Sequence, residues 1–284
     1  VTVFDTQSTY GALVVDTEGL QVVGEGQPTV DGWVDMAAAD TTLDGFEIAP
    51  GRTYTAQIWD TELEKQGNPY GVRISGGADK ISGIEVVNNT IDIAIDSTDG
   101  TAEARPNDAK PYPILAQGIQ LFAGGASDDI VIANNDVTAT AAGPTNGAGA
   151  EAIKVQGATS GIVVTGNDVV ADGTGYAFGI AATSEGETGQ GTVGPGESTV
   201  VRRNNITATT DNENTDLFGV GVWAPTGTST VNLNNFQETD EDIYGPEGLD
   251  AIANYYADGE PDVLGNPTVD PYLTTPQQNV DDLE

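Results

Sequence analysis

The sequence predicts an all-β fold, a single-stranded right-handed parallel β-helix of about eight coils, on three observations. The segment SGIEVVNNTIDIAI at 82–95 returns as SDDIVIANNDVTAT at 127–140, TSGIVVTGNDVVAD at 159–172 and, more loosely, STVVRRNNITATT at 198–210. A second strand type, in which apolar residues alternate after a small residue, returns as GVRIS (71–75), GIQLF (118–122), AIKVQ (152–156), GIAAT (179–183) and GVGVW (219–223). Stretches at 97–113, 141–150 and 184–197 are rich in Gly, Pro, Thr, Asp and Glu, the composition of surface connections.

Each element follows from side-chain period. Alternation with period two sends one set of side chains inward. In the second strand type that set is Val72/Ile74, Ile119/Leu121, Ile153/Val155, Ile180/Ala182 and Val220/Val222, all apolar. In the first type it is Ile84/Val86, Ile130/Ile132 and Ile162/Val164. A third short strand follows each asparagine, as in TIDIAI, DVTAT, DVVAD and NITAT. Three short strands per unit, each beside its counterpart one unit along, describe a solenoid. An antiparallel sandwich would show regular hairpin turns and no asparagine at one place in each unit. The whole chain, 1–284, reads as one domain: N-terminal coils over 1–50, regular coils over 71–240, and a C-terminal cap over 245–284.

The recurring asparagines are expected to be structural. Asn89, Asn135, Asn167, Asn204 and Asn234 sit where the chain bends between strands, and Asn tolerates left-handed backbone angles. Stacking at one strand spacing, about 4.8 Å, would let their amides bond as a ladder.

With these features in place, the chain resembles the pectate-lyase-like β-helix superfamily, and within it the NosD-like repeat proteins. GALVVDTEGLQVVGEGQPTVDG followed by ADTTLDGFEIAPG is similar to the family's first coils. GLDAIANYYADGEPDVLGNPTVDPYL is similar to its terminating unit. The resemblance implies the fold over nearly the whole chain and implies little about activity, because the superfamily carries lyases, hydrolases, epimerases, adhesins and phage spikes. The copper association of NosD itself does not carry over, since the chain has no His, no Cys and one Met.

Composition narrows the chemistry. The chain has 44 Asp plus Glu against 9 Lys plus Arg, a net charge of −35. Such a surface repels nucleic acid and anionic membranes, and its self-repulsion calls for screening by salt. The acidity resembles that of proteins from extreme halophiles. Without Cys and His, thiolate and imidazole catalysis and zinc sites built on them are excluded. Neither is a resident cofactor expected; any bound ion would be a hard one held by oxygen, Ca2+ or Na+. No run of about 18 apolar residues suggests membrane insertion. The chain starts at Val1, without Met, in a strand-like stretch, and reads as a processed or trimmed product, so a missing leader does not argue against secretion.

Candidate site residues follow from the outward columns. Arg73, Gln120, Lys154, Ala181 and Gly221 form one expected column; Ser75, Phe122, Gln156, Thr183 and Trp223 form the next. Arg73, Lys154 and Glu151 are the catalytic candidates, since a lyase needs a base and a group to stabilise an enolate. Asp96, Asp99, Glu103 and Asp108 are expected beside them. The active-site motifs of polygalacturonases and pectate lyases are missing, so Arg73 and Lys154 are expected to pair with acidic neighbours. Gln120, Phe122 and Trp223 are carbohydrate-binding candidates, with Trp59, Tyr176, Tyr255 and Tyr256 as further aromatic surface. Asp96, Asp99, Asp240 and Asp242 are metal candidates. The sequons Asn88-Asn89-Thr90 and Asn205-Ile206-Thr207 make Asn88 and Asn205 glycosylation candidates.

The functional expectation is an extracellular, non-catalytic rigid β-helix on a cell or virion surface, acting in structure, adhesion or carbohydrate binding in high salt. Its expected partners are carbohydrate or other surface proteins. One alternative is a secreted polysaccharide lyase or glycoside hydrolase with its groove around Arg73 and Lys154. Another is a viral spike or turret, for which a homotrimer is the expected assembly.

Overall fold

The computed structural model describes residues 1–6, 8–49, 51–55, 68–75, 81–96, 114–122, 127–143, 148–156, 159–183, 197–210, 219–223, 229–245, 249–259, 261, 263–265 and 273. The described residues form strands and connecting turns, with no helix, and every strand pairing is parallel.

Three sheets result, because each strand pairs with the strand about three places further along the chain. The first sheet stacks β1 (Thr2–Phe4), β3 (Gln21–Glu25), β6 (Thr42–Asp44), β10 (Ser82–Val87), β13 (Ser127–Ala133), β16 (Thr159–Thr165), β19 (Glu197–Arg202) and β22 (Thr230–Asn232). The second stacks β4 (Thr29–Val30), β7 (Glu47–Ile48), β11 (Thr90–Asp96), β14 (Asp136–Ala142), β17 (Asp168–Gly173), β20 (Asn205–Thr210), β23 (Asn235–Thr239) and β25 (Tyr255–Tyr256), with β8 (Thr53–Tyr54) also on β11. The third stacks β2 (Leu13–Val15), β5 (Val34–Met36), β9 (Tyr70–Ile74), β12 (Ile114–Phe122), β15 (Ala148–Gln156), β18 (Tyr176–Thr183), β21 (Gly219–Trp223), β24 (Glu241–Gly245) and β26 (Val263–Gly265). Three consecutive strands make one rung of a solenoid-like stack. The expected connection at 141–150 is shorter than its composition suggested, since β14 runs to Ala142 and β15 begins at Ala148.

The core lies between the sheets and is built from columns in register. One reads Ile84, Ile130, Ile162, Thr199; another reads Ile91, Val137, Val169, Ile206, Phe236, Tyr256. Parallel in-register stacking repeats each side chain's neighbours from rung to rung, which favours β-branched residues of constant volume. The second column turns aromatic at its C-terminal end, where Phe236 and Tyr256 stack with ring centroids 5.2 Å apart and planes 8° apart.

The asparagines form a continuous buried ladder. Nδ2 of Asn89 donates to Oδ1 of Asn135 (3.1 Å), Asn135 to Asn167 (3.0 Å), Asn167 to Asn204 (2.9 Å) and Asn204 to Asn234 (2.9 Å). Asn234 donates in turn to Asn254 (3.1 Å), a sixth member that the sequence expectation omitted. Each acceptor also receives the preceding asparagine's backbone N–H, and the spare Nδ2 proton goes to a backbone carbonyl such as Val86, Ile132 or Val164. Every amide is thereby satisfied inside the fold, as burial demands.

One detail of that expectation is corrected. The left-handed residue is the one before each ladder asparagine: Asn88, Asn134, Gly166, Arg203, Leu233 and Ala253, all with φ between 55° and 67°. The ladder residues themselves are absent from the positive-φ set. The bend and the ladder are adjacent jobs; only in NN segments do both fall to asparagine.

Candidate functional site

The third sheet departs from strict alternation, and the departure creates the site. In β15, Ala152 and Ile153 are consecutive and both belong to the core. The same step occurs at Gly71, Gly118, Gly179 and Gly221. A Cβ on Gly179 would sit 2.6 Å from Ile206 Cγ2, and one on Gly221 2.7 Å from Phe236 Cδ1, so these positions also point inward. Two successive inward residues reverse the parity before the step. Gln117 and Glu151, which alternation would send into the core with Ile119 and Ile153, face outward instead. Glu151 and Lys154 come to the same side of the sheet, three residues apart.

There they pair. Lys154 Nζ lies 3.0 Å from Glu151 Oε1 and 2.9 Å from Oε2, and Gln117 Nε2 donates to Oε2 in a short hydrogen bond. Although these residues point away from the core, they are buried: Gln117 and Glu151 are each 1 % exposed and Lys154 is 5 % exposed. Beside them a second apolar cluster of Leu115, Tyr176, Phe178, Ala181 and Val220 occupies the outer side of the sheet. Glu151 stands in register with Gln117 on one side and Phe178 on the other. Tyr176 passes over Gly149, where a Cβ would meet its ring at 2.5 Å, and its ring centroid lies 5.1 Å from that of Phe178.

A second triad lies at the N-terminal side of the same face. Tyr70 Oη donates to Asp35 Oδ1 (2.6 Å), Arg73 Nε lies 3.4 Å from the same oxygen, and the Arg73 guanidinium sits 4.7 Å above the Tyr70 ring. Burial, with the hydrogen bond to Asp35, pushes the Tyr70 phenol well above its ordinary pKa. Tyr70 is in register with Gln117, and Gln120 stands between Arg73 and Lys154. The expected Arg73–Gln120–Lys154–Ala181 column therefore forms, with Asp35 as its preceding member.

The register corrects the columns beyond Ala181. Ala181 pairs with Trp223, not with Gly221, and Ile180 pairs with Val222. Val220, expected inward, aligns with Phe178 and belongs to the outer apolar cluster. The strand GVGVW contains two glycines, and the inward step falls on the second. Trp223 thus leaves the Phe122 column and joins that of Lys154, where its backbone also pairs with Tyr244. Its side chain lies outside the described residues, as do Trp59, Asp99, Glu103 and Asp108. Of the other carbohydrate candidates, Gln120 is half-buried and Phe122 is exposed. Tyr176 and Tyr256 are buried and Tyr255 is half-buried, so the first two offer no surface.

Of the metal candidates, Asp96 ends β11, Asp240 Oδ2 accepts the backbone N–H of Gly219 (2.8 Å), and the buried Asp242 accepts the hydroxyl of Thr239. Among the described residues no three acidic side chains converge as a metal site would require. Asp136 stands beside Asp168, in register on the outer face of the second sheet. Burial first, and then the Asp136 charge, raise the Asp168 pKa.

The sequons separate cleanly. Asn88 is exposed at its left-handed turn and donates to Asp44 Oδ1 (2.9 Å). Asn205 lies within β20, half-buried, with its Oδ1 taken by Asn235 Nδ2 (2.7 Å).

The chemistry open to the Lys154 column is limited by these contacts. A general base needs a free lone pair and reach to substrate. Here the ammonium and the carboxylate neutralise each other, and both are shielded from solvent. Comparison with family models, with curated proteins and with solved structures yields no match to this chain.

Proposed function

We propose that this protein is a non-catalytic, extracellular rod, a right-handed parallel β-helix of about eight coils akin to the pectate-lyase-like folds. It stands on the surface of a halophile's cell or of a virion and acts in adhesion, structure or carbohydrate binding. The observation that carries the reading is the burial of the Glu151–Lys154 pair, beside a half-buried Arg73 held against Asp35. The residues best suited to proton abstraction are spent on Glu151 and Asp35, and the central pair is buried. The continuous asparagine ladder supports a stiff scaffold, and the charge of −35 supports a setting where salt screens repulsion.

The test is an assay of acidic and neutral polysaccharides in molar salt. No bond cleavage is expected. Depolymerisation that disappears in Lys154→Ala or Arg73→Ala would overturn the reading in favour of a lyase or hydrolase.

A further inference from the structure

Nine Lys and Arg serve the whole chain, and Lys65, Lys80, Arg105 and Lys110 lie outside the described residues, which leaves five. Three of these have carboxylate partners: Arg52 with Asp31 (3.2 Å), Arg73 with Asp35 and Lys154 with Glu151. The other two are neighbours. Arg202 and Arg203 are both exposed, and among the described residues neither has an ion-pair partner, in a protein with 44 acidic side chains. Arg203 also adopts φ 58° at the turn where other rungs use Asn88, Asn134 and Gly166. A long side chain in that conformation costs on the order of 1 kcal/mol relative to glycine. Two adjacent cations at a strained turn, without a carboxylate partner among the described residues, suit an anion from outside.

The face on which they stand identifies its source. Arg202 closes β19, and the outer side of the first sheet carries two columns in register. One runs Thr42, Glu85, Val131, Val163, Val200, Thr230. The other runs Asp44, Val87, Ala133, Thr165, Arg202, Asn232. The N-terminal end is acidic, with Asp44 and Glu85 bonded only to neutral Asn88 and Thr42 among the described residues. The middle is a flat strip of valines, and the C-terminal end is basic. Asp128 and Asp129 lie within β13, and the exposed Asp129, at φ 54°, precedes Val131 by two residues.

We infer that this face docks a second copy of the chain in antiparallel, two-fold fashion. A two-fold axis along the strand direction, between β13 and β16, sets Val131 of one copy over Val163 of the other. It brings Arg202 over the other copy's Val87, one strand spacing from Asp44 and two residues from Glu85, within reach of a long side chain. The contact is self-complementary: each copy supplies both the arginines and the acids. An anionic polymer would satisfy the arginines and leave the valine strip and the acidic end without a match. The two columns span five strand spacings, roughly 24 Å, which is small for an interface. With −35 on each copy, association requires salt.

Sedimentation of the intact chain in molar salt and in dilute buffer tests this. The expected result is a concentration-dependent dimer in molar salt that dissociates in dilute buffer. The double variant Arg202→Glu/Arg203→Glu and the double variant Asp44→Arg/Glu85→Arg each lose self-association by at least about tenfold, yet dimerise when mixed, because the swapped charges then meet. That recovery cannot come from misfolded chains. Three results would overturn the inference: a wild-type monomer at every salt concentration, a trimer, or a dimer indifferent to both variants. A monomer whose arginines instead retain polygalacturonate would show that the anion is a polymer.

Discussion

Lys154 Nζ lies within 3.0 Å of both carboxylate oxygens of Glu151, and both residues are buried on the outer side of the third sheet. Removing one partner of such a pair leaves a buried charge without its counterion, which costs about 3–5 kcal/mol. Lys154→Ala is expected to lose that much stability in denaturant unfolding at molar salt. The double variant Glu151→Leu/Lys154→Met, surrounded by Leu115, Phe178 and Ala181, should recover most of it. A loss in the double variant equal to the sum of the losses in Glu151→Leu and Lys154→Met would show that the pair is not coupled.

The ladder gives a second expectation. Asn167→Ala removes two donors and an acceptor that serve Asn135, Asn204 and Ile132, orphaning buried groups on both neighbouring rungs. The expected loss is about 2–4 kcal/mol. Asn254→Ala, at the last member of the ladder, orphans as many groups, the backbone N–H and Nδ2 of Asn234 and the carbonyls of Val231 and Ala251, and should cost a similar amount. Comparison of the two unfolding midpoints in molar salt checks this.

How far this was readable from sequence differs between the two features. The ladder was legible because identical residues recur beside β-branched runs in each unit. Its sixth member, Asn254, stands before Tyr255-Tyr256 as Asn234 stands before Asn235-Phe236, so the signal existed. The closed column was only half legible. The register of Arg73, Gln120 and Lys154 follows from alternation, but the burial does not, because it depends on the doubled inward step at Gly118, Ala152 and Gly179. The clue was that Gln117 and Glu151 occupy inward parity, where a polar residue has no business in an apolar core. In GVGVW, two glycines made the step ambiguous and displaced Trp223 by one column.

Left-handed turns supply a third expectation. Leu233 holds φ 57°, a conformation for which its Cβ is penalised. Leu233→Gly should raise stability by about 1 kcal/mol, less the entropy that glycine adds to the unfolded chain. Arg203→Gly should show the same sign while losing self-association. Thermal unfolding in molar salt, with sedimentation alongside, reads both.

Alkaline pH tests the buried phenols. Burial pushes Tyr54 up to about 12, and Tyr70 and Tyr256 are also raised, burial being the first cause in each. The folded state therefore holds these protons more tightly than the unfolded chain, whose tyrosines ionise near 10. Stability from this source is full below pH 10 and declines as pH rises through the folded-state values. Tyr54→Phe should make the decline between pH 10 and 12 shallower. An unchanged slope would exclude Tyr54 as a contributor.

The reading of the protein as a non-catalytic rod rests on Lys154 being shut away with Glu151, and amine labelling in molar salt tests this without knowledge of any substrate. With the protein native, acylation followed by peptide mapping should leave Lys154 unmodified, and the label should reach it only after denaturation. Prompt modification of Lys154 in the folded protein would mean an accessible amine on an open face, and would contradict the account.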